Sequence, residues 1–158
     1  MRRLIPLLAV LMLLGACSTI DCPLSTKVCC TYQLAGDVLV LTDTLSVTST
    51  RADGNDAVLL NQISGDSIFR LPMSYAHDTD VLFFAFTDKD RVTRTDTVTV
   101  SKTNIPHFES VDCSPSFFHL LGDVKHTRHV IDQIIITNST INYDTTAVHL
   151  QIYLQPGH

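Results

Sequence analysis

A chain of 158 residues with 11 Lys and Arg against 16 Asp and Glu, and 45% apolar residues, has room for one domain with a real core and little for two. Its net charge of −5, without clusters of Lys or Arg, argues against a nucleic-acid footprint and against electrostatic docking on anionic lipid. Every acidic residue except Glu109 is Asp, and Thr is abundant. Asp prefers turns where Glu prefers helices, and Thr favours strands, so composition alone points to an all-β protein.

The chain opens with Arg2 and Arg3, an apolar run from Leu4 to Leu13, and then Leu14-Gly15-Ala16-Cys17. That order reads as a secretory signal. Its ending resembles the lipobox of bacterial lipoproteins, which implies cleavage before Cys17, acylation of Cys17 and attachment to a membrane. Residues 1–16 would then be removed, 17–22 would form a lipidated tether, and 23–158 a single β-sandwich domain. The tether, Ser18-Thr19-Ile20-Asp21 with its flanks, spans no more than about 15–20 Å at roughly 3.3–3.6 Å per residue.

From Val28 onward the pattern is one of short strands between turns. Val28, Cys30, Tyr32 and Leu34 share one face of a first strand, ended by Gly36-Asp37. Leu39, Leu41, Leu45 and Val47 alternate with polar partners, and residues 51–56 read as a loop. Strands follow over 57–61 and 67–71. The segment 94–101 alternates cleanly, with Val98 and Val100 inward and Thr95, Thr97 and Thr99 outward. A last pair, 130–137 and 147–154, flanks a turn-rich segment. The expected fold is an antiparallel β-sandwich of immunoglobulin-like type. The likeness of Thr42–Val47 to Thr95–Val100 reads as two strands in similar environments, without a repeat architecture.

Val81-Leu82-Phe83-Phe84-Ala85-Phe86 is apolar on both alternating faces, whereas a two-layer sandwich buries one. Two readings follow. Either a loop such as the Phe117-Phe118 segment covers the outer face, or Leu82, Phe84 and Phe86 form an exposed patch for a partner.

Four cysteines remain beside Cys17, in a compartment where disulfides persist, and they allow three full pairings. Cys22 and Cys113 both lie in irregular chain beside Asp and Pro, and their pairing is expected. Cys29 and Cys30 are adjacent on a strand and point to opposite faces, which disfavours a vicinal bond. Cys30 falls on the core face.

The sequence nominates no catalytic residue, no metal ligand and no cofactor. His126 and His129 would face opposite sides of a strand, and no His-Glu-x-x-His pattern exists. The Asp-rich segments Asp53–Asp56, Asp78–Asp80 and Asp88–Asp90 supply oxygens for calcium, but none continues as an EF-hand loop. No nucleophile elbow, Walker loop or dinucleotide turn occurs.

The run Lys102-Thr103-Asn104-Ile105-Pro106-His107-Phe108-Glu109-Ser110-Val111-Asp112-Cys113-Ser114-Pro115-Ser116-Phe117-Phe118-His119 is distinctive. With Asp21-Cys22-Pro23-Leu24 and Asn142-Tyr143-Asp144-Thr145-Thr146, it resembles a family of uncharacterised lipoproteins of Gram-negative bacteria, over most of the chain after the signal. The resemblance implies a small envelope lipoprotein and carries no activity. The absence of acidic residues directly after Cys17 favours the periplasmic face of the outer membrane. Three functions are therefore expected in order: a non-enzymatic, membrane-anchored protein that binds another envelope component; a calcium- or small-ligand-binding module using the Asp-rich loops; and an unrecognised hydrolase.

Overall fold

The structure is a computed structural model that describes Cys22 and residues 28–50 and 56–157. Ten strands follow one another: β1 (Cys29–Ala35), β2 (Thr44–Thr50), β3 (Asp56–Ile63), β4 (Ile68–Pro72), β5 (Thr79–Thr87), β6 (Thr93–His107), β7 (Ser116–His126), β8 (Ile131–Ile136), β9 (Thr140–Ile141) and β10 (Leu150–Leu154). They form a four-stranded sheet of order β4-β1-β10-β8 and a six-stranded sheet of order β3-β2-β5-β6-β7-β9. The all-β sandwich expected from composition and turn spacing is thus present. Its strand order is not the ABED/CFG order of constant-type immunoglobulin domains, because β5, β6 and β7 lie side by side as a meander. One pairing also departs from the antiparallel rule: β1 and β10 run parallel, Tyr32 opposite Leu150.

Between the sheets the core is aromatic at its centre. Tyr32 stacks on Phe69 within one sheet at 5.2 Å, and both meet Phe84 of the other sheet at 5.8 and 6.1 Å. Phe84 faces inward because of its neighbours. In register with it and with Leu82 and Phe86 lie Val47 and Leu45 of β2 and Val98 of β6, on the aliphatic face of the paired stretches. Leu82, Phe84 and Phe86 are consequently 2%, 0% and 2% exposed, and they form no patch. The side chains facing out are Val81, Phe83 and Ala85, among the Thr residues of β6. Nor does a loop cover them: Phe117 and Phe118 belong to β7, inside the same sheet.

One buried carboxylate closes the sandwich. Asp96 shares the inward face of Val98 and Val100, opposite Phe84, and has no exposure to solvent. It accepts hydrogen bonds from Thr127 Oγ1 at 2.7 Å and from the backbone N–H groups of His129, Val130 and Ile131 at 2.8 Å each. Those donors line the crossover from β7 in one sheet to β8 in the other. Burial alone would raise the pKa of Asp96, but the four donors outweigh it and hold the group below the usual carboxylate range. Just after β1, Gly36 turns the chain with φ of 81°, and a Cβ there would meet the ring of Tyr153 at 2.8 Å. Only glycine fits that turn.

Candidate functional site

The longest strand, β6, outruns its neighbour. Pairing with β5 ends at Thr79 opposite Ser101, yet β6 and β7 stay paired from Lys102 opposite Leu121 to His107 opposite Ser116. The break comes at a bulge, where Gly122 has no partner between Ser101 and Lys102. Beyond it the two strands continue as a ribbon, joined on the β7 side only by the two-residue β9 at His119 and Leu120. A two-stranded ribbon is marginal alone, and here both faces are propped.

One prop is the segment before β5. Lys102 is buried, its ammonium 2.9 Å from an Asp80 carboxylate oxygen, and it donates to the His77 carbonyl at 2.7 Å. The other Asp80 oxygen accepts from the Ser74 N–H. Asn104 donates through Nδ2 to the carbonyls of Tyr75 and His77 and to Asp78, at 3.1–3.3 Å. With its amide nitrogen so directed, Asn104 offers Oδ1 to His119 Nδ1 at 2.7 Å, which makes Nδ1 the protonated nitrogen of that ring. Burial first, and the Lys102 charge second, push His119 down to about 4. Tyr75 then stacks on Phe117 at 5.1 Å. The second prop is the loop around Tyr143. His107 stacks on Phe118 at 4.3 Å, Tyr143 meets Phe118 edge-on at 5.0 Å, and the Tyr143 hydroxyl donates to Ser116 Oγ.

Chemically this end is a surface, with its polar groups spent on holding backbone. Its exposed side chains are apolar instead: Tyr75 on the first prop, Tyr143 on the second, Ile105 and Leu120 on the ribbon, and Phe108 and Val111 at the tip. Phe108 and Val111 sit on the connection between β6 and β7, and the same connection carries Cys113, disulfide-bonded to Cys22 with Cα atoms 5.5 Å apart.

The description "Family of unknown function (DUF6452)" fits residues 42–154, which run from just before β2 to the end of β10. The chain belongs to this family. The matched span holds the whole ribbon and Cys113, while Cys22 precedes it. No curated protein and no solved structure matches the chain.

Cys17 and residues 51–55 lie outside the described residues. Cys22 and Cys113 are bonded, and Cys29 and Cys30 are free. Burial pushes the Cys30 thiol up to about 12, which suits a small core residue and not a nucleophile. His126 bonds its own neighbour's carbonyl, and buried His149 accepts from the Thr31 N–H through Nδ1 at 3.0 Å, so the histidines do not converge. Among the described residues no three His, Cys, Asp or Glu side chains gather as metal ligands. Asp80 is committed to Lys102, and Asp88 caps its own turn by accepting from the N–H groups of Asp90 and Val92.

A cleft of about 510 Å³ opens beside the 73–77 segment, between the ends of β2, β3 and β4. Its walls include Leu59, Met73, Tyr75 and His77, and its carboxylate, Asp80, already faces Lys102. No hydrogen-bonded nucleophile–base pair lies among the described residues that line it. Sequence reading missed the ribbon and the Asp80–Lys102–Asn104–His119 network. One signal was available: Lys102 follows Val98 and Val100 in the inward series, a charge where the pattern asks for an aliphatic side chain.

Proposed function

We propose that this protein is a lipid-anchored component of the bacterial cell envelope, non-enzymatic, that binds another envelope component. The observation that carries the reading is the Cys22–Cys113 disulfide. Such a bond belongs to an oxidising compartment, and Cys22 stands five residues after the lipobox-like Leu14-Gly15-Ala16-Cys17. The acyl group on Cys17 and the disulfide would then act in series, the first holding the chain at the membrane and the second holding the domain to the anchored arm. The outer membrane, facing the periplasm, is the proposed address. The exposed apolar side chains on the ribbon support binding, whereas the polar groups beneath them are committed to structure.

Metabolic labelling with an alkynyl palmitate in a Gram-negative host tests the anchor. Wild type is expected to carry the label and to sediment with outer membranes, and Cys17→Ser to lose both. An unlabelled wild type would contradict the reading. A pull-down of the labelled protein from detergent-solubilised envelope tests the binding role, with a stoichiometric partner as the expected result.

A further inference from the structure

We infer that the tip of the β6–β7 ribbon is a membrane-contact point, with Phe108 and Val111 resting on the apolar boundary of a zwitterionic bilayer. The inference rests on the anchor reading and names the surface that the anchored domain meets.

Geometry decides which end faces the bilayer. Whatever conformation residues 18–21 take, five residue steps from Cys17 to Cys22 reach at most about 18 Å. The disulfide adds 5.5 Å between Cα atoms. Cys113 is therefore held within about 25 Å of the acylated residue. The strand β6 alone, with 15 residues, is about 45–50 Å long at 3.3 Å per residue. One end of the sandwich must lie near the membrane, and it is the end with the β6–β7 connection. The opposite end, the turn from Asp88 to Val92, is a strand length away.

What stands at the near end fits lipid. Val111 is 98% exposed and Phe108 65%, and they lie on the connection two and five residues before Cys113. Side chains so exposed gain by entering an apolar boundary. Charge chooses the lipid. No Lys or Arg lies between Lys102 and Lys125, and Lys102 is buried against Asp80. Glu109, hydrogen-bonded to His107 at 3.0 Å, and Asp112 each follow one of the two apolar residues. Anionic headgroups would repel this tip, and zwitterionic ones would not.

The absence of tryptophan from the chain permits a direct test. Phe108→Trp and Val92→Trp each give a single reporter on exposed positions, and Val111→Trp serves as a second reporter at the tip. The lipidated full-length variants are reconstituted in phosphatidylcholine vesicles with brominated acyl chains, and attachment is verified by flotation. Quenching at 108 or 111 is expected to exceed that at 92 at least threefold, and to weaken when a third of the lipid is phosphatidylglycerol. Equal quenching at both ends, or none at the tip of floated protein, overturns the inference. Emission at the tip that shifts with protein concentration in place of lipid assigns the surface to a second copy, and also overturns it. Mass spectrometry of the N-terminal peptide separates the failures. Without an acyl group on Cys17 the anchor reading falls, whereas an acylated protein with an unquenched tip leaves the anchor and removes only the contact.

Discussion

The two halves of β6 obey different rules. From Thr95 to Ser101 the strand pairs with β5, and from Val98 onward with β7 as well, its Thr side chains turned out and Val98 and Val100 fully buried. From Lys102 to His107 it has lost β5, and loops prop it through a buried ion pair, an amide and stacked rings. The first half hides its apolar side chains, while the second leads to exposed Ile105, Phe108 and Val111. A strand with sheet on both sides is held by packing. One that leaves its sheet needs specific polar contacts, and the surface it then offers is free for something else.

Breaking the covalent tie should give the largest effect. Replacing Cys22 and Cys113 together by Ser removes a cross-link between residues 91 apart in sequence, and is expected to cost about 4–5 kcal/mol in the chain-entropy description. Urea denaturation measures it. Next comes the first half of β6. Asp96→Ala strands three backbone donors and a hydroxyl in the crossover, with an expected loss of about 3 kcal/mol or more. A loss under about 1 kcal/mol would mean the crossover does not depend on that carboxylate.

Titration separates the halves further. His119 is held at about 4, and His149 is also held below the ordinary imidazole value by burial. The unfolded chain takes up protons first as pH falls through about 6.5. Stability present above that pH should therefore decline between pH 6.5 and about 4. His119→Gln is expected to flatten this decline and shift the melting of the ribbon end. A profile unchanged by the substitution would remove His119 from the network. Asp96, whose pKa lies below that of an unfolded Asp, adds its loss only at lower pH, as the carboxylate itself takes up a proton. The smallest thermodynamic effect belongs to the tip. Phe108→Ser with Val111→Ser should leave unfolding within about 0.5 kcal/mol of wild type, as surface changes do, while abolishing contact with zwitterionic vesicles.

How much of this could be read beforehand follows the same divide. The alternation from Arg94 to Ser101 gave that half of β6 and the inward Val98 and Val100, whereas Asp96, two residues before Val98 on the same face, went unread because its donors lie more than 30 residues away. The run Val81–Phe86 defeated periodicity, because both its faces are apolar and only the register with Val47 and Val98 selects the inner one. The strand β7 was hidden by its bulge at Gly122 and by the polar residues His119 and Asp123, which break the alternation. The disulfide was legible from the matched surroundings of Cys22 and Cys113. The ribbon was not, since its partners, Asp80 with Lys102 and Tyr75 with Phe117, lie 22 and 42 residues apart in sequence. Nothing local announces such pairs.

Amide hydrogen exchange along β6, with and without phosphatidylcholine vesicles, bears most directly on the division of labour. The account predicts added protection over residues 105–112 and no change from Asp88 to Ser101. Unchanged exchange at the tip, or protection gained at the turn from Asp88 to Val92, would contradict it.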